Sequence, residues 1–164
     1  MTPLAKTQFQ TLFAWHFHTR ELLVERATRL PEVDYFENPG YGHGSIHAMF
    51  FHLMRADRAW RIALETGVQP PPEKIESYPD FPALQAAFAV EQSGWLAFLD
   101  RLTDEMIEAD LELTTWRGGR FNIPCWRVLQ HLILHGMQHH TEIAHLLPLK
   151  GQSPGDIDFI FYAG

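Results

Sequence analysis

The chain has 164 residues, enough for one domain with a well-buried core, and its 46% hydrophobic, 13% aromatic and 20% charged residues exclude a disordered polar chain. A net charge of −7 argues against a nucleic-acid partner, because phosphate backbones are gripped by clustered basic surface. The single cysteine, Cys125, excludes an internal disulfide and thiolate-rich metal sites. No run of about 18 apolar residues could span a bilayer, and residues 1–20 lack the basic-then-apolar order of a secretory signal. A cytoplasmic protein without membrane contact, folded as a single domain over 1–164, is expected.

In chain order, Phe9, Leu12, Phe13, Phe17, Leu22 and Leu23 recur with a mostly helical period and predict a first helix from Thr7 to about Leu30, ended by Pro31. Residues 37–44 form a glycine-rich loop that includes His43. Ser45 can cap a second helix over about Ile46 to Glu65, with Gly67 as its stop. Gln69 to Pro79, with four prolines, reads as an irregular crossover. Asp80 can cap a third helix from Phe81 to about Leu102. Leu111 to Pro124 alternate weakly around Gly118-Gly119, the pattern of a short hairpin or tight turn. A fourth long helix is predicted from about Trp126 to Leu147, stopped by Pro148 and Gly151, and the apolar tail after Pro154 is suited to dock back. Trp60, Trp95 and Trp126 are expected as core anchors. Four long helices with short and medium connections imply an all-α four-helix bundle.

Ten histidines are the unusual feature, and four of them (His131, His135, His139 and His140) fall within ten residues of the last helix. A helix turns about 100° per residue, so each direction can be compared with the core stripe Leu129, Leu132, Ile133, Gly136, Ile143 and Leu147. His140 points into the core, as a hydrogen-bonded structural residue, and His131 points outward. His135 and His139 sit together on one shoulder. Their i, i+4 spacing puts the Cβ atoms about 5–6 Å apart, which suits two imidazoles meeting one cation at about 2.0–2.1 Å. A third ligand must come from another helix. On the second helix, His52 and His47 lie on opposite shoulders of the stripe Ile46, Met49, Leu53, Trp60 and Leu64, and periodicity does not choose between them.

The segment His52-Leu-Met-Arg-Ala-Asp57-Arg58-Ala-Trp60 resembles a second-helix signature of the DinB/YfiT-like superfamily. The run His131-Leu-x-x-His135-x-x-x-His139 resembles its fourth-helix motif, and Pro154-Gly155-Asp156-Ile157-Asp158 its ending. The resemblance implies a four-helix bundle, commonly a homodimer, with a three-histidine metal site falling on His52, His135 and His139. Gln138, His139, His140, Thr141 and Glu142 depart from the usual pattern around the last ligand, where relatives carry Arg-Gly-Gln after it. Glu142 lies on the metal shoulder, as an acceptor behind a ligand, a fourth ligand or a base.

Three neutral imidazoles would leave an ion's charge uncompensated and a position open for water or thiolate. Zn²⁺ or Ni²⁺ suits such a set. Asp57 lies near the core side of its helix, where it could reach inward toward the ligands or pair with Arg58. Glu142 and Asp57 are therefore the candidate catalytic groups. Relatives include thiol-dependent transferases and isomerases and proteins described as metal-dependent hydrolases. The expected function is a metal-dependent hydrolase or thiol-dependent transferase acting on a small molecule, with a low-molecular-weight thiol as one candidate partner. The alternative is a non-catalytic metal- or ligand-binding stress-response protein. A di-iron bundle needs two Glu-x-x-His motifs and further carboxylates. Only Glu142-Ile-Ala-His145 fits that pattern.

Overall fold

The computed structural model describes residues 4–163. Among the described residues six α-helices run α1 (Leu4–Ala27), α2 (Glu32–Phe36), α3 (Ile46–Thr66), α4 (Phe81–Arg101), α5 (Asp104–Glu108) and α6 (Cys125–Leu149). The hairpin strands are β1 (Asp110–Thr114) and β2 (Arg120–Pro124). The four long helices α1, α3, α4 and α6 pack as an all-α bundle. No helix among the described residues is long and apolar enough to cross a membrane.

Local chemistry explains the helix ends. Ser45 Oγ accepts the Ala48 N–H at 3.2 Å and opens α3. Gly67, at φ +78°, closes α3 by donating its N–H to Ala63 O at 2.8 Å, a left-handed cap that favours glycine. Asp80 Oδ1 accepts the Ala83 N–H at 2.9 Å and opens α4, with Pro82 in the first turn. The hairpin is antiparallel, pairs Asp110 with Pro124 and Thr114 with Arg120, and turns at Gly118. Pro148 lies within α6 rather than before its end, because a proline in the last turn forfeits only one backbone hydrogen bond.

Three features depart from the periodicity reading. The first helix closes at Ala27, and Pro31 then starts α2 instead of merely ending α1. The five-residue helices α2 and α5 are too short to display a helical period. Trp126 is not a core anchor but 44% exposed, with the Arg127 guanidinium over its ring. It lies in the first turn of α6, whose buried face there is taken by Cys125, Val128 and Leu129.

Two apolar clusters fill the bundle. One holds Leu23, Met49, Phe50, Leu53, Phe88, Ile143 and Leu147, and the other Phe13, Trp95, Phe98, Leu129, Leu132 and Ile133. Between them lies a buried polar layer of His16, Thr19, Arg20, Asp57, Glu91 and His140. The tail docks back as expected: Trp15 Nε1 donates to Ile157 O at 3.2 Å and its ring meets Phe159 edge-on.

Candidate metal centre

The packing of α3 against α6 brings His52 over the α6 shoulder that carries His135 and His139. The Nε2 atoms of His52 and His135 face each other at 2.9 Å. Ring centroids are 4.9 Å apart for His52 and His135, 4.6 Å for His52 and His139, and 4.6 Å for His135 and His139. The three rings are steeply tilted to one another, at 51°, 77° and 74°. His139 is buried, while His52 and His135 are half-buried.

Glu142 fixes the orientation of His139. Its Oε2 lies 2.7 Å from His139 Nδ1. A carboxylate accepts, so Nδ1 carries the proton and Nε2 keeps its lone pair for the cluster. Burial, and then the neighbouring His43, His139 and His135, push His52 down to about 3. Burial and the nearby His139 and His131 push His135 down to about 4. Both imidazoles are thus neutral with available lone pairs at physiological pH, as metal binding requires. Arg55 approaches His52 Nδ1 at 3.4 Å and adds to the field that opposes protonation.

A fourth ring belongs to the cluster. His43, in the loop before α3, stacks on His52 with centroids 3.6 Å apart and planes 16° from parallel, and meets His139 edge-on at 5.0 Å. Among the described residues, the three histidines whose ligand nitrogens all lie within 4.8 Å of one another are His43, His52 and His139; His135, expected as a ligand, is outside that group and faces His52 alone at 2.9 Å. Sequence reasoning assigned His43 no role, since a loop has no period from which to read a direction. The available signal was its place between Gly42 and Gly44, just before the Ser45 cap, where the chain can fold back over the first turns of α3.

The other histidines separate cleanly. His47 is buried with Nδ1 3.1 Å from the Tyr35 hydroxyl, so of the two α3 alternatives it is His52 that faces α6. His131 is exposed and lies against Trp60 and His135. His140 is fully buried as expected, yet both its ring nitrogens lack a hydrogen-bond partner among the described residues, and it packs on His16 with centroids 4.9 Å apart. Asp57 is buried, and its Oδ2 lies 3.5 Å from both Arg20 Nη1 and His16 Nε2. Arg58 instead pairs with Glu73 and Glu91. Asp57 therefore faces the polar layer beneath the cluster, and its field reaches His135. Burial pushes the Cys125 thiol up to about 11, which leaves it unreactive.

The family model of the DinB family matches residues 4–164. The chain belongs to the DinB family. No curated protein matches it significantly. In this DinB protein the donor chemistry fits one divalent cation. Two ligands of a tetrahedral ion at about 2.0–2.1 Å stand roughly 3.4 Å apart, and the 2.9 Å between His52 and His135 lies close to that spacing. The clustered donors of His43, His52 and His139 are three imidazoles, a set that can hold a metal ion, with the Glu142 carboxylate behind His139.

Proposed function

We propose that this DinB protein is a metal-dependent enzyme in which His52, His135 and His139 hold one divalent ion, zinc or nickel, with a position left for a small-molecule substrate. The observation that carries the reading is the approach of His52 Nε2 to His135 Nε2 at 2.9 Å, across two helices, beside a His139 whose Nδ1 is already engaged by Glu142. Without a metal the two facing nitrogens pair as one N–H donor and one lone-pair acceptor, both rings staying neutral. A bound cation would instead take a lone pair from each ring.

When bound, such an ion supplies Lewis acidity, lowering the pKa of a coordinated water or thiol toward neutrality. The protein's own groups do the rest. Glu142 holds the His139 ring and its tautomer through Oε2, which leaves the other oxygen of its half-buried carboxylate to take a proton from a group delivered to the cluster. Asp57 and Arg20 form a fixed floor below. Small thiol adducts, esters and amides are the substrate classes this chemistry serves.

The test is metal content of protein purified without an affinity tag, followed by titration with Zn²⁺ or Ni²⁺. About one ion per chain is expected, lost in His139→Ala with helicity retained. Metal-dependent turnover of a thiol adduct, ester or amide establishes the enzyme. Metal binding without turnover of any of them supports a binding module instead. A folded wild type that takes up neither ion in excess removes the proposal.

A further inference from the structure

The four rings of the cluster are not equivalent in geometry. An imidazole binds a cation along its nitrogen lone pair, in the plane of the ring. His52, His135 and His139 are mutually tilted by 51–77°, so none of these rings stacks face to face on another. His43 lies only 16° from parallel to His52, at 3.6 Å. An ion in the plane of His52 therefore stands over the face of His43 and off its lone pair. His43 must turn before it can ligate.

The loop that carries it is built for such a turn. Gly40, Gly42 and Gly44 adopt φ of +84°, +62° and +94°, left-handed values that free glycine from the strain other residues would meet. Within residues 40–44 the backbone is tied by Gly44 N to Tyr41 O at 3.2 Å and Gly40 N to Asn38 Oδ1 at 2.8 Å. His43 is also exposed, whereas His139 is 3% exposed, so His43 covers the solvent side of the cluster. The helix-borne rings are tied by hydrogen bonds, His139 to Glu142 and His52 to His135, whereas His43 meets the cluster through ring contacts with His52 and His139.

We propose that His43 is an exchangeable fourth ligand that caps the ion's open position and yields it to an incoming small anion such as a thiolate. This inference rests on the three-histidine site proposed above. Capping is a competition: if the capped form holds nine-tenths of the population, the apparent affinity for the incoming ligand falls about tenfold. The device would keep the ion closed to solvent until a stronger ligand arrives.

The test uses Co²⁺ as a spectroscopic probe and 2-mercaptoethanol as the thiol. Wild type, His43→Ala and His43→Phe are each loaded with Co²⁺, and visible absorption is recorded during thiol titration. His43→Phe keeps a ring to stack on His52 but cannot ligate. Both variants should keep one Co²⁺ per chain, show an altered d–d spectrum before thiol is added, and bind the thiol about tenfold or more tightly than wild type. Spectra and thiol affinity unchanged in both variants would overturn the cap. So would loss of Co²⁺ in both variants to the extent seen in His139→Ala, since that marks a permanent ligand. A His43→Phe that behaves as wild type while His43→Ala does not would reduce His43 to a stacked cover and equally overturn ligation. Failure of wild type to bind Co²⁺ at all tells against the three-histidine site itself.

Discussion

Glu142 accepts the Nδ1 proton of His139 at 2.7 Å, one turn along the same helix, and so sets which nitrogen of His139 faces His52 and His135. Carboxylates placed behind a ligating histidine raise its basicity and hold its ring, and their loss commonly weakens metal affinity about 10- to 100-fold. Glu142→Ala is expected to lower Zn²⁺ affinity by that order, measured by chelator competition, while Glu142→Gln, which keeps an acceptor without the charge, loses less. Equal affinities for all three proteins would show that the pairing does not support a metal ligand.

Asp57 carries a stability prediction. Its carboxylate and the Arg20 guanidinium are 3% and 2% exposed, and Arg20 is further held by Gln92 and by the faces of Phe88 and Phe17. Removing one partner leaves a buried uncompensated charge, at a cost of about 3–5 kcal/mol. Asp57→Ala is therefore expected to lower the urea midpoint sharply, and Asp57→Ala with Arg20→Met to recover part of the loss. Metal stoichiometry should persist in Asp57→Asn. A variant that stays stable but no longer holds metal would move Asp57 from the floor of the site into the site itself.

The contrast between α3 and the loop before it shows what a sequence can reveal here. Ser45, Gly67 and Asp80 announce their helix ends because each cap is a local side-chain or backbone event. The core stripe of α6, from Leu129 to Leu147, is buried as its period implies, and His135 and His139 share the shoulder read for them. Choosing His52 over His47 needed the placement of neighbouring elements, which no single-helix pattern contains. His47 is claimed by Tyr35 of α2, a helix too short to leave a periodic trace. His43 was illegible for a related reason: its direction depends on three glycine torsions rather than on a repeat.

Gly136 is a core position whose missing side chain matters. A Cβ there would lie 2.3 Å from both Cε1 and Nδ1 of the His16 ring, which is itself buried against His140. Alanine improves helix propensity by about 1 kcal/mol. Overpacking a well-filled core typically costs about 1–3 kcal/mol, so the clash is expected to win. Gly136→Ala should lower the melting temperature, and Gly136→Ala with His16→Ala should regain part of it. If Gly136→Ala alone is stabilising, His16 has room to move and the polar layer is looser than its burial suggests.

Acid should unfold the protein partly through the cluster. His52 is pushed down to about 3 and His135 to about 4, chiefly by burial, from a value near 6.5 in the unfolded chain. Between about pH 6.5 and pH 4 the unfolded chain therefore binds protons that the folded chain refuses, so stability rises with pH across that window. Above about pH 6.5 both states leave these rings neutral and their contribution is flat. Urea midpoints of the metal-free protein should hold steady from pH 8 to 7 and fall as pH drops from 6.5 to 4. Because His140, which burial also holds well below the ordinary imidazole value, adds to the same fall, the informative quantity is the difference from His135→Gln, whose fall should be shallower. Parallel profiles for the two proteins would mean that His135 titrates alike in both states, and would contradict the crowding of neutral imidazoles on which the site depends.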